Sequence, residues 1–375
     1  LNLVLKKQRP KTNLDWDSGL GAGEKAFWSQ NATLITLAGR FKSFANLSAN
    51  NIGNINYFYD NRVYYTSYMR MDASLPNRER VVPLTTQQPV VASASQRINN
   101  EQSGGATNLL RLSDRLTLHL NGFGSTDRSF RFHASQRDFL TSATTFIDST
   151  STALRTHSYD LTGKLVYNDS QKVYATLQLS GIQTLNKSST EFFNQYQLST
   201  LNTALLQDPE AYLKSDNSLR IKGKQALRLR VEYRQNAYRY TLNSTQVVSQ
   251  DLPLGTAIRH TNADAMMQLL YYKRYEKNTM THSLGAYQRS STLTQVGEQP
   301  LSDLPPPLGV AQNYQHRAVF YKGGLNLRKG FFSIDPLIEI SYNEAWLSGP
   351  LPTDADSRLA FLPQLEVEGK FSTRS

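Results

Sequence analysis

Two short polar turns sit between segments whose side chains alternate between oily and wet, and that alternation leaves few folds open. The first runs Lys164-Leu165-Val166-Tyr167-Asn168-Asp169-Ser170-Gln171-Lys172-Val173-Tyr174-Ala175-Thr176-Leu177-Gln178-Leu179. Leu161, Gly163, Leu165 and Tyr167 share one face before the turn, and Val173, Ala175, Leu177 and Leu179 share it afterwards. Thr162, Lys164, Tyr174, Thr176, Gln178 and Ser180 take the other. Successive strand side chains point to opposite faces, so this period of two reads as a hairpin with one apolar and one polar surface. Leu325-Asn326-Leu327-Arg328-Lys329-Gly330-Phe331-Phe332-Ser333-Ile334 repeats the pattern.

Read along its length, the chain yields about fourteen strands. Short turns are expected near 41, 114, 169, 223, 277 and 329, and long loops near 78, 145, 198, 253, 304 and 352. Early strands are expected at Thr12 to Gly21, Phe27 to Gly39 and Lys42 to Asn50, and a long insertion from about 52 to 104. The Ser/Thr-rich stretch from 136 to 155 and the stretch from 189 to 208 read as loops, with one or two helical turns at Leu201 to Leu206. At Gln235-Asn236 the parity flips, because Tyr238, Tyr240 and Leu242 look apolar-facing. Either a second tight turn or a β-bulge explains that, and the bulge is the better reading because Lys222-Gly223-Lys224 is the better turn. Short turns at one end and long loops at the other are the pattern of an outer-membrane barrel. Tyr167, Tyr174, Tyr271, Tyr272, Tyr275, Phe331 and Phe332 crowd the short-turn ends, where an interfacial girdle belongs. The expected fold is therefore all-β, a transmembrane antiparallel up-and-down β-barrel. A soluble β-rich binding or adhesin protein stays open as an alternative, as does a passive porin or surface-binding barrel.

Composition agrees. Hydrophobic residues make up 39% and charged residues 19% of the 375, and mean hydropathy is −0.49. No run of about 18 apolar residues offers a membrane helix, a test that strands escape because only alternate residues face lipid. With no cysteine, disulfides, thiolate metal sites and cysteine nucleophiles are excluded. The net charge of +11 recurs on wet strand faces and at turns. That distribution favours anionic sugars, phosphates, outer-membrane lipid and lipopolysaccharide over nucleic acid as partners. The sequence opens at Leu1 without a signal peptide and closes on Phe371-Ser372-Thr373-Arg374-Ser375, so both ends read as cut and the chain as an internal piece.

The opening Asn2-Leu3-Val4-Leu5-Lys6-Lys7 resembles the last plug strand of TonB-dependent outer-membrane transporters. Ala45-Asn46-Leu47-Ser48-Ala49-Asn50-Asn51-Ile52 and Leu109-Leu110-Arg111-Leu112-Ser113-Asp114-Arg115-Leu116-Thr117-Leu118 resemble the Bacteroidota branch of that family, as do the turns at Lys222-Gly223-Lys224 and Lys277-Asn278. The resemblance implies a barrel of about 22 strands around a folded plug. Residues 1–11 would be the end of the plug and its linker, and 12–375 the first two-thirds of the barrel. It also implies energised uptake of a scarce ligand (an iron chelate, haem, a glycan or a peptide), driven by TonB with ExbB and ExbD, with a surface lipoprotein as a further partner. The TonB box, most of the plug and the closing strands have no counterpart in the sequence.

Motifs of chemistry are wanting. Gly19-Leu20-Gly21-Ala22-Gly23 has no following helix and no Lys-Ser/Thr pair, so it reads as a strand-end turn. Asp15-Trp16-Asp17 resembles the start of a calcium loop, but Ala26 stands where a bidentate Glu is needed. His119, His133, His157, His260, His282 and His316 have no zinc spacing, and no Gly-x-Ser-x-Gly elbow occurs. The expectation is a protein that is not an enzyme, with no cofactor and no metal. Candidate binding residues are Tyr57, Tyr59, Arg62, Tyr64, Tyr65 and Arg70 on the long insertion, where aromatics stack on sugars or flat ligands. Glu191, Phe192, Phe193 and Tyr196 form a weaker group. Arg228, Arg230, Arg234 and Arg239 are expected to project into the lumen. There they either meet an anionic ligand or plug carboxylates, or balance Glu232, Asp335 and Glu339.

Overall fold

The structure is a computed structural model describing residues 10–22, 26–51, 98–139, 144–169, 172–194, 197–221, 224–246, 254–275, 278–298, 310–329, 332–349 and 354–369. Its fourteen strands are β1 (Lys11–Ala22), β2 (Ala26–Ala38), β3 (Phe41–Asn50), β4 (Ile98–Arg111), β5 (Leu116–Phe139), β6 (Thr144–Asp169) and β7 (Val173–Asn194), followed by β8 (Gln197–Ile221), β9 (Gln225–Gln246), β10 (Leu254–Tyr275), β11 (Asn278–Glu298), β12 (Val310–Lys329), β13 (Phe332–Ser348) and β14 (Asp354–Gly369). They form one sheet in chain order, each antiparallel to the next. Among the described residues β1 pairs only with β2 and β14 only with β13, so the meander has two edges.

The two faces are sharply different, and in the opposite sense to a water-soluble sheet. Among the described residues, nineteen buried side chains are polar or charged and six are hydrophobic. Leu161, Leu177, Leu179, Leu284, Val319, Ile338 and Ile340 are instead exposed. Register explains how one surface collects them. Leu165 lies opposite Leu177 and Gly163 opposite Leu179, Leu284 opposite Tyr321, and Tyr321 opposite Ile340. The two-faced hairpins of the sequence are therefore present with the expected sidedness. Outward aromatics border the apolar surface, with Tyr167, Tyr271 and Tyr275 towards the short turns and Tyr159, Tyr233 and Tyr342 further from them. From Tyr167 to Tyr159 the band is about 20 Å tall for a strand tilted about 40°. Of the other aromatics expected in the short-turn girdle, Tyr174 and Tyr272 face inward by register. Phe331 and the side chain of Phe332 lie outside the described residues.

Strand β4 begins at Ile98, inside the insertion expected to run to about 104. Three further expectations are corrected. Within 136–155 and 189–208, where loops are expected, the described residues are strand. Ladders β5–β6 and β7–β8 continue through them as far as Phe139–Thr144 and Asn194–Gln197. Leu201 to Leu206 are strand rather than helix. No bulge exists at Gln235-Asn236, since β9 and β10 pair in unbroken register from Gln225 to Ser244. Tyr238 consequently turns inward, where it is 3% exposed beside inward Leu206 at 4%. The reason is common to all three. Above the apolar band the outside is no longer lipid, so outward positions can be polar and inward ones apolar, and the oily/wet code that marks strands below lapses while the ladder runs on.

Prolines and turns mark where the ladder yields. Pro209 lacks an N–H, and the β8–β9 pairing skips Asp208 and Pro209. Pro336 does the same between β12 and β13, and the Asn326 amide there donates to the Asp335 carboxylate instead. The β8–β9 turn ends on Lys224 with φ 64°, the left-handed conformation that a three-residue hairpin loop requires. At the β4–β5 turn, Arg115 reaches the Asp169 carboxylate at 3.4 Å. A hydrogen bond to Tyr167, with the Asp169 charge beside it, raises the Arg115 pKa further.

Candidate functional site: the charged inner wall

The inner faces of β8 to β11 carry a charged lattice built by strand register. Asp216 lies opposite Arg230, Lys214 opposite Glu232 and Tyr212 opposite Arg234. Arg234 lies opposite Asp264, and Asp264 opposite Arg289. Opposite charges on directly facing positions are the favourable cross-strand arrangement. Arg228 grips Asp216 with two bonds, Nε to Oδ1 at 2.6 Å and a terminal nitrogen to Oδ2 at 2.5 Å. Arg230 stands 3.6 Å from the same carboxylate and 3.8 Å from Glu232. Lys214 Nζ is 2.9 Å from Glu232 Oε1. Asp264 accepts from Arg234 and Arg289, both at 2.7 Å, and from the Tyr287 hydroxyl at 3.1 Å.

Neighbouring polar pairs extend the lattice. Gln268 donates to Ser283 at 2.7 Å in full burial, and His260 and Ser291 meet at 2.7 Å. Lys322 bridges Glu339 at 2.9 Å and lies over the Phe320 ring. Phe320 in turn covers Gly285, which faces it directly across β11–β12; a Cβ at 285 would overlap the ring.

This placement sorts the sequence-expected residues. Arg228, Arg230 and Arg234 do face inward, and each is held by a carboxylate, as the charge-balance reading requires. Glu232 stands beside Arg230 as expected, but Glu339 pairs with Lys322 and Asp335 accepts from Asn326 rather than from these arginines, while Asp216 and Asp264, which hold the centre, were not singled out. Their signal was available: each falls in register with an arginine once the turns are placed. Arg239 is a correction. It lies on the outer face, exposed, opposite Arg259, because odd positions of β9 point outward throughout. Tyr57, Tyr59, Arg62, Tyr64, Tyr65, Arg70 and Tyr196 lie outside the described residues. Glu191, Phe192 and Phe193 are in β7, where the register shifts between Phe192 and Phe193. Among the described residues no group of three or more His, Cys, Asp or Glu could hold a metal ion.

No protein-family model matches the sequence, and no curated protein matches it. Among solved structures, the chain is similar to the ferric citrate transporter FecA in its unliganded form, with TM-score 0.33 and 7% identity, over 92% of this chain and 66% of that one. It is also similar to the outer membrane protease OmpT of Escherichia coli (TM-score 0.22, 10% identity, 69% and 98% covered). A third is the siderophore receptor PirA of Pseudomonas aeruginosa (TM-score 0.21, 9% identity, 92% and 73% covered). TM-scores this low carry no argument, and what the chain is follows from its own geometry. Neighbouring strands are antiparallel and joined at one end by tight turns. Lipid-seeking side chains cover one face and hydrogen-bonded polar ones the other, which is how strands cross a bilayer. The chain is built as an antiparallel up-and-down β-barrel wall of the outer membrane.

Proposed function

We propose that this wall belongs to a receptor-transporter that takes up a scarce ligand with energy supplied by TonB, ExbB and ExbD, the ligand being an iron chelate, haem, a glycan or a peptide. The observation that carries the reading is strand length. β5 to β11 run 21 to 26 residues, whereas about 9–11 suffice to cross a bilayer. The surplus lies beyond the apolar band, on the side away from the short turns, and it carries the inner face outward as a walled vestibule. A ligand held there is already above the lumen. The salt-bridged lattice below gives that lumen a fixed polar lining rather than a set of mobile charges.

The edges point to a larger ring. In lipid, an open strand edge leaves backbone N–H and C=O groups unpaired at a cost of several kcal/mol each. Further strands beside β1 and β14 would remove that cost, and the resemblance to TonB-dependent transporters implies about 22 in all, a size that holds a plug in its lumen. The test is growth of a deletion strain, with and without the full gene restored, on defined iron and carbon sources, in cells with and without TonB. Restored growth that depends on TonB is expected. Restoration that ignores TonB would make the barrel a passive porin and end this reading.

A further inference from the structure

Outside the barrel, just past the upper aromatics, cations face one another across the strands. Arg128 lies opposite Arg155, Arg155 opposite Lys187, and Arg239 opposite Arg259. All five are exposed on the outer face. Like charges in directly facing positions sit about 5 Å apart at Cβ and destabilise a sheet. On the inner wall the same chain sets Arg228, Arg230, Arg234 and Arg289 against carboxylates. On the outer wall, among the described residues, none of the five joins one. Two clusters of uncompensated charge, three strands wide and two strands wide, therefore flank β8.

Height supplies the second observation. Arg155 is four residues beyond Tyr159 on β6, or about 10 Å further along the bilayer normal. The interfacial layer on each side of the hydrocarbon is about 5–8 Å thick, and long basic side chains bend towards it. Below each cluster the outward surface is apolar again, with Leu161, Leu177 and Leu179 under the first and Tyr233 and Met267 under the second. The two demands, anion above and acyl chain below, are met by one kind of molecule.

We propose that Arg128, Arg155 and Lys187, with Arg239 and Arg259 beside them, bind the phosphate groups of an anionic lipid of the outer leaflet whose acyl chains lie on the apolar band beneath. Guanidinium groups suit phosphate because they donate two parallel charge-assisted bonds. The proposal rests on the strands being a bilayer-crossing wall and is independent of uptake.

The test titrates detergent-folded full-length protein with bis-phosphorylated lipid A, with its dephosphorylated form, and with free inorganic pyrophosphate. Folding of every variant is checked by the heat-modifiable gel band. The expected result is binding at least about tenfold tighter for the phosphorylated lipid than for the dephosphorylated one. A comparable loss is expected in the triple variant Arg128→Gln, Arg155→Gln, Lys187→Gln, with a further loss on adding Arg239→Gln and Arg259→Gln. Lys172→Gln with Arg220→Gln, which removes two exposed cations at the short-turn end, leaves binding unchanged. A folded triple variant that binds within about twofold of the parent, or equal binding of the dephosphorylated lipid, overturns the proposal. So does pyrophosphate bound as tightly as the lipid, which would make this a site for soluble anions.

Discussion

Asp264 holds two arginines and a tyrosine with a side chain that is 3% exposed, so it concentrates more of the inner wall's electrostatics than any arginine it binds. Asp264→Asn keeps the shape and removes the charge, leaving Arg234 and Arg289 to face each other. Breaking a buried pair costs about 3–5 kcal/mol, and that loss is expected in denaturant unfolding of the folded barrel. A carbon tells a complementary story at Gly285. Gly285→Val forces Phe320 off the strand it covers and should destabilise by about 1–3 kcal/mol. Phe320→Ala should cost less in that background than alone, since the clash disappears with the ring; a double variant that loses as much as the sum of both, or more, would show that Phe320 is not what Gly285 accommodates.

At the scale of elements, each strand crosses two environments, and its outward face is sensitive to charge only in one. Leu284→Arg, within the band on β11, is expected to cost about 2–4 kcal/mol, whereas Thr203→Arg, outward on β8 above it and facing only Ser189 and Asn243, should cost about 0–1 kcal/mol. Equal costs at the two positions would remove the boundary drawn at the upper aromatics. That boundary also decides how much of the fold was legible. Below it, lipid forces outward residues to be apolar, so β6–β7 and β12–β13 announced themselves through Leu165, Leu177, Leu327 and Ile334. Above it, nothing enforces alternation. Thr-rich 144–155 looked like loop, Leu201 to Leu206 like helix, and Tyr238 like a lipid-facing residue. The inner lattice was half legible for a related reason. Its arginines stand out in β9 alone, but Asp216 and Asp264 gain meaning only through the register of β8 and β10, which no single strand contains.

For the whole molecule, fourteen strands in chain order form a wall with the polarity of a membrane barrel, and every larger inference hangs on which way that wall faces. Charge balance inside and charge excess outside are then two results of one arrangement. Inside, a carboxylate must come from the chain itself, and in the lattice it does. Outside, the anions of the surrounding leaflet are available. The absence of cysteine allows a direct measurement: single nitroxide labels placed in turn at Ala265, Met266, Met267, Gln268, Leu269 and Leu270 of β10 in the protein reconstituted into a bilayer, with collision rates recorded for lipid-soluble oxygen. The account predicts high rates at Ala265, Met267 and Leu269 and low rates at Met266, Gln268 and Leu270. Low oxygen access at Met267 and Leu269, or no period of two along the strand, would contradict it.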